Sequence, residues 1–196
     1  MNRLQQVASE FAQSFSFTSD SDQIERILNL NTVALFQDLN SPNYRNEIIS
    51  WFRYTKKQSL KHLDGLDARC MNTSPLNYWM IANIPQLLML PFARPILAKV
   101  YRRQTGPVPM IGIISGAFWD AGDSITSGRF LMRFWLEAAR INLYIHPFGN
   151  LVTNHKAALT LKNELKIDDI WLIFKIGYSS EPPKSRRLPV ERILIK

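Results

Sequence analysis

Hydrophobic side chains recur at helical spacing through much of this chain and run almost without interruption at residues 108–115 and 170–178. Ile24, Ile27, Leu28 and Leu35 share one face of a predicted helix over 22–36, with Ser19 and Asp20 as caps and Glu25 and Arg26 on the opposite face. After a turn at Ser41, Pro42 and Asn43, a second helix is predicted over 44–56, packed through Ile48, Ile49, Trp51 and Phe52. Asp64 and Gly65 mark a loop, and a short helix is expected over 95–103. Residues 108–115 read as a buried strand ending at Gly116, and residues from Asp120 to Ser124 can cap the next helix, over 125–141. Its charges, Arg129, Arg133, Glu137 and Arg140, fall at intervals of four, four and three, so they form one stripe and leave the rest of the surface apolar. Such a helix belongs at the centre of a domain or in a subunit interface. A strand over 142–146, a loop over 147–153, a helix over 154–165 and a last strand over 170–178 follow. The mixture predicts an α+β domain layered on one sheet, with residues 1–196 as a single domain.

Residues 70–93 carry no charge and are long enough to span a bilayer. Pro75, Pro85 and Pro91 would each remove a helix hydrogen bond, and Asn72, Asn77, Asn83 and Gln86 would lose their water. Apolar loops and short helices are therefore expected there, with no transmembrane segment. Arg94, Lys99, Arg102 and Arg103 just after it leave a peripheral contact with a membrane open.

The formal charge of +8, from 24 Lys and Arg against 16 Asp and Glu, favours anionic ligands. Cys70 is the single cysteine, which rules out an intrachain disulfide and a thiolate zinc cluster and fits a reducing, cytoplasmic location. Residues 1–13 lack the apolar core of a signal peptide. His62, His146 and His155 never meet acidic partners at metal-ligand spacing, so no metal site is expected. Gly112 and Gly116 make no dinucleotide fingerprint, and Ser115 with Gly116 makes no hydrolase elbow. Lys56, Lys57, Lys61 and Arg69 beside Trp51, Phe52 and Tyr54 have the composition of a nucleic-acid patch, but a solvated helix face accounts for them and nucleic acid is not the expected partner. His146 reads as a histidine bonded to nearby backbone.

The sharpest chemistry lies at the tail, where the last strand runs into Ser179, Ser180 and then Lys184, Ser185, Arg186, Arg187, Leu188 and Pro189. Two guanidinium forks, an ammonium and a hydroxyl so close together suit a phosphate; on composition alone a solvated basic turn accounts for them as well.

Several words of the sequence, in order, resemble the nitroreductase-like flavoproteins. They are Gly128 and Arg129, the helix and strand that follow through Gly149, the IGY word Ile176, Gly177, Tyr178, and the basic run Lys184 to Pro189. Upstream, Trp51, Phe52, Arg53 and Asp64, Gly65, Leu66 look like the WLRF and DGL words of that family's mycobacterial dormancy-type branch. The words cover roughly residues 44–196 and are densest over 120–196. The resemblance implies a nitroreductase-like mixed, mainly antiparallel sheet flanked by helices. It implies FMN as cofactor, NAD(P)H as reductant, nitroaromatic or quinone-like acceptors and a homodimer. Lys184, Ser185 and Arg187 match the tail that contacts the FMN phosphate, with Arg186 as an inserted neighbour able to replace Arg187; Pro147, Phe148 and Gly149 match the loop whose backbone faces the flavin ring. The flavin performs the chemistry, so no catalytic side chain is implied. The Arg-rich and NxQPW-like words of the family's first part do not occur, so the expectation is a chain corresponding to the latter part of such a protein. The alternative is a non-catalytic relative that dimerises or binds a nucleotide or another partner.

Overall fold

The computed structural model describes residues 2–84, 90 and 92–194. Its contacts divide the chain into two compact units, Met1–Leu35 with Pro107–Ser179, and Phe36–Gly106 with Ser180–Lys196.

The first unit is built on a four-stranded antiparallel sheet. Strand β1 is Ser14–Thr18, β4 is Ile111–Ser115, β5 is Tyr144–Pro147 and β6 is Ile170–Gly177, in the order β1-β4-β6-β5. The nearly continuous apolar run of β6 is explained by its central place, with β4 on one side and β5 on the other and a core on each face. On one face helices α1 (Asn2–Glu10) and α7 (Ala121–Arg140) bring Leu4, Val7, Phe130 and Phe134 against Phe15, Ile114, Phe174 and Ile176. On the other, α2 (Ser21–Asn40), α8 (Asn150–Thr153) and α9 (His155–Leu165) bring Ile27, Leu151 and Leu161 against Ile111, Ile113 and Ile173. Asp20 caps α2 by accepting the Gln23 N–H at 2.7 Å, and Asn154 caps α9 by accepting the Ala157 N–H at 3.1 Å.

A register shift where Ser115 meets Ile170 turns the Trp171 indole onto the α7 face, where its ring stacks on Phe118 at 4.7 Å. The buried indole N–H then donates to Gln13 Oε1 at 2.8 Å, and Gln13 Nε2 donates to the Ala117 carbonyl at 3.0 Å. Strand β1 was not expected from the sequence. Its Phe15 is buried between Phe134 and Phe174, and Phe17, two residues on and on the same face, packs beside Phe15 at 6.2 Å but stays partly exposed.

Helix α7 departs from its predicted surface. Glu137 is not on a solvated stripe but 4% exposed, held by Arg140 at 2.7 Å and by Arg3 of α1 at 3.3 Å. Conversely Ile125, Met132 and Leu136 are 60–69% exposed. These residues lie opposite Phe130 and Phe134 on a 3.6-residue repeat, so α7 has two apolar faces and only one of them meets the sheet.

The second unit contains α3 (Pro42–Ser50), β2 (Phe52–Arg53), α4 (Lys56–His62), β3 (Leu66–Asp67), α5 (Pro75–Asn83) and α6 (Ala93–Thr105). The helix predicted over 44–56 is thus three elements. Its apparent periodicity survives only as a small cluster in which Ile48 and Ile49 pack on Phe52 and Tyr78. Phe52 lies flat on Tyr78 with ring centroids 3.9 Å apart, and Tyr54 meets both edge-on, so neither ring presents a free stacking face to a base. In the uncharged stretch, α5 is one of the short helices expected; residues 85–89 and 91 lie outside the described residues. Among the described residues no helix is long and apolar enough to cross a membrane.

Candidate functional site

The two widely spaced words around Trp51 and Asp64 form one joint in the second unit. Strands β2 and β3 pair in parallel, the Leu66 N–H donating to the Trp51 carbonyl at 2.7 Å and the Ala68 N–H to the Arg53 carbonyl at 3.2 Å. Arg53 Nη2 is 2.7 Å from Asp64 Oδ1, and Arg53 Nη1 donates to the Ser50 carbonyl at 2.9 Å. Gly65 has a φ of +78°, and a Cβ there would stand 2.5 Å from the Trp51 carbonyl oxygen. Only glycine fits this position.

Strand β3 ends on Asp67, and from there the joint reaches the basic tail. Asp67 accepts from Ser59 Oγ at 2.7 Å and from the Arg69 N–H at 2.9 Å. Burial works to raise its carboxyl, but these two bonds and the charges of Arg69 and Arg186 outweigh burial and hold it below its ordinary value. Arg69 Nη2 donates to the Lys184 carbonyl at 2.9 Å, and Cys70 Sγ to the Pro183 carbonyl at 3.5 Å. The tail is therefore strapped by its backbone, which leaves its side chains for other partners.

Those side chains are not equivalent. Lys184, Ser185 and Arg187 are exposed, and Lys184 makes a surface ion pair with Glu181 at 3.0 Å, a contact worth ~0–1 kcal/mol that an incoming anion can displace. Arg186 is half-buried and its buried Nε has no hydrogen-bond partner, an unsatisfied donor within the basic tail. The Tyr78 hydroxyl is also buried and unpartnered; burial, then the nearby Asp67 and Cys70, push it well above the ordinary phenol value. Asp67, Arg69 and Cys70 were not read from the sequence as parts of the site. The signal available was the position of Asp67 immediately after the Asp64, Gly65, Leu66 word.

Pro147, Phe148 and Gly149 lie in the first unit. Pro147 closes β5 opposite Phe174; Phe148 is buried, and its N–H donates to the Ile173 carbonyl at 2.8 Å. Gly149 precedes α8 with nothing within 4 Å of where a Cβ would stand, which leaves its face open. The Phe148 amide is thus committed to the sheet, and Gly149 is the member of the loop whose backbone is accessible. His146 is opposite Lys175 on β6 and meets Phe148 edge-on at 5.7 Å. Desolvation, then the Lys175 ammonium, lowers its pKa below the ordinary 6.5.

Elsewhere in the first unit Leu151, His155, Leu161, Lys162, Asp169 and Ile170 are among the residues around a groove of about 220 Å³. Its walls are mostly aliphatic, and Lys162 is engaged by Asp168 at 2.7 Å, so little polar recognition remains there. Among the described residues no three His, Cys, Asp or Glu side chains converge as a metal ligand set.

No protein-family model matches this chain, and no curated protein matches it. Among solved structures it is similar to the FMN-dependent nitroreductase NfnB from Mycobacterium smegmatis, determined in complex with NADPH. The TM-score is 0.50 at 10% sequence identity, over 100% of this chain and 88% of that one. Identity this low speaks to architecture alone. With its antiparallel sheet covered by helices on both faces, the chain has a nitroreductase-like α+β fold.

Proposed function

We propose that this protein is an FMN-dependent oxidoreductase that takes hydride from NAD(P)H and passes it to nitroaromatic or quinone-like acceptors. The observation that carries the reading is the strapped tail, whose Lys184, Ser185 and Arg187 are exposed and whose Arg186 Nε is buried without a partner, in a chain folded like an FMN-dependent nitroreductase. Two guanidinium groups, an ammonium and a hydroxyl can all donate to the terminal phosphate, which sets the cofactor's position. The open Gly149 backbone suits close approach of a flat ring, and the neighbouring Phe148 amide, fixed to Ile173, keeps that loop rigid. When bound, FMN supplies the hydride chemistry; the residues of the chain bind it, orient it and exclude water. The reading keeps the dormancy-type branch on the resemblance of the words at Trp51 to Arg53 and Asp64 to Leu66, which pair as neighbouring strands in the joint that holds the tail. Arg3 is engaged by Glu137, and this reading assigns the phosphate contacts to the tail.

Reconstitution with FMN, followed by absorbance and flavin-fluorescence titration, tests the proposal. The protein is expected to retain yellow colour after dialysis. Lys184→Ala and Arg187→Ala should each weaken binding roughly tenfold or more, the loss of about 1.5–3 kcal/mol for a charge-assisted bond. Colourless protein that takes up no flavin would overturn it.

The partner in this reading is a second copy. Ile125, Gly128, Met132, Trp135 and Ala139 repeat at intervals of three and four along the outward face of α7, the spacing of a helix-pairing seam, and Gly128 has nothing near its missing Cβ. The same seam also serves the second reading, a non-catalytic dimer of the same fold. Light scattering is expected to give twice the chain mass, and Met132→Glu with Leu136→Glu should halve it while leaving the far-UV spectrum unchanged. A wild-type monomer at micromolar concentration refutes the seam. A dimer without flavin uptake selects the non-catalytic relative.

A further inference from the structure

A second exposed apolar surface, on α5 and α6 in the other unit, has a different chemistry. From Ala68 to Trp119 the chain contains no Asp or Glu, while Arg69, Arg94, Lys99, Arg102 and Arg103 contribute five positive charges. The two helices are pinned at one end, where Asn72 Nδ2 donates to the Gln104 carbonyl at 2.9 Å and Gln104 Nε2 donates to Thr73 Oγ1 at 3.0 Å. This joins the end of α6 to the turn before α5. Away from the pinned end Trp79, Ile84, Leu90, Phe92 and Ile96 are exposed, Phe92 and Ile96 at 69% and 63%.

The order of side chains along α6 is informative. Phe92, Ile96, Lys99 and Arg103 fall within one narrow stripe of a 3.6-residue repeat. The apolar pair comes first, and Lys99 follows about 10 Å further along the axis from Phe92 at 1.5 Å per residue. With the two kinds separated along the axis, rings and branched chains at the start of the helix can enter the acyl boundary while the long cationic side chains a turn or two back reach the phosphates. A second copy suits the surface poorly. α6 carries Arg94, Lys99, Arg102 and Arg103 and no acidic residue, so a second α6 packed on it adds cations and no counter-charge in either orientation.

We propose that the α5–α6 pair docks this protein on an anionic lipid bilayer, with Phe92 and Ile96 entering the headgroup boundary and Lys99 and Arg103 contacting lipid phosphates. The inference does not depend on flavin binding, since none of these residues belongs to the tail or to the loop at Gly149.

Sedimentation of the full chain with vesicles tests it, using phosphatidylcholine alone and phosphatidylcholine with phosphatidylserine. The protein should pellet with the phosphatidylserine vesicles at low salt and be released as salt rises. Lys99→Ala with Arg103→Ala should reduce partitioning about 30-fold, near fivefold for each cation. Phe92→Asp with Ile96→Asp should abolish it, with a melting temperature equal to wild type because both positions are exposed. The proposal fails if wild type stays in the supernatant with phosphatidylserine vesicles, or if it pellets equally with phosphatidylcholine alone. It also fails if the Lys99, Arg103 variant pellets as wild type does, or if the Phe92, Ile96 variant changes the mass seen by light scattering, which would place a second copy on this surface.

Discussion

Replacing Phe174 by Ala is expected to cost about 3–5 kcal/mol of unfolding free energy. For a chain of this size that corresponds to a fall in melting temperature on the order of 10 °C. The ring is fully buried at the centre of the sheet, stacked on Phe15 at 6.2 Å and edge-on to Phe134 at 5.9 Å. Its space comes from Gly112, its register partner across β4 and β6, where an added Cβ would stand 2.5 Å from two ring carbons. Gly112→Ala should therefore cost about 1–3 kcal/mol through overpacking. The two sites must also couple: in the background of Phe174→Leu, which withdraws the ring, Gly112→Ala should cost clearly less, the remaining close contact being Phe15 Cε2 at 3.0 Å. Denaturant midpoints of the single and double variants measure the coupling. Strict additivity would mean that the glycine is not the socket for this ring.

Gly65→Ala should open the joint in the second unit, at a cost of roughly 2–4 kcal/mol from the left-handed backbone and the loss of a strand hydrogen bond. The obstacle is backbone, not a yielding side chain. The new methyl would meet the Trp51 carbonyl oxygen at 2.5 Å, and that same oxygen accepts the Leu66 N–H. Once β3 leaves β2, Asp67 loses its place beside Ser59 and Arg69, and the strap on the Lys184 carbonyl goes with it. Hydrogen exchange should accelerate at Leu66 and Ala68 and also in the tail around residue 184, while β4 and β6 keep their protection. Unchanged exchange in the tail would separate the joint from the strap. Protection lost everywhere would show that the two units unfold together.

The fold was legible wherever a pattern was long or uniform. The run at 170–178 implied a strand covered on both faces, and β6 is central; the helix over 154–165 and its Asn154 cap match α9. Short elements held by distant partners were not legible. Strand β1 is five residues long and is defined by its pairing with β4, almost a hundred residues later. Strands β2 and β3 are two residues each, and the spacing of Ile48, Ile49, Trp51 and Phe52 imitated a longer helix until the bonds to Asp64 and Leu66 ended it. On α7 the intervals of the charges were right, but periodicity does not tell which face meets the core. A buried Glu137 clamped by two arginines therefore looked like part of a solvated stripe. The basic tail was plain as a charge cluster. What holds it, Arg69 and Cys70, was hidden because their partners are carbonyl groups of the tail, which side-chain patterns do not reveal.

The sheet has two rims of unequal risk. Strand β5 is four residues long and finishes on Pro147, which has no amide to offer an incoming chain. Strand β1, with the sequence SFSFT, is uncharged and lacks proline and glycine, and its Phe17 ring is 40% exposed. Under partial unfolding, amyloid recruitment in this sheet would begin at residues 14–18, with the opposite rim blocked by its proline.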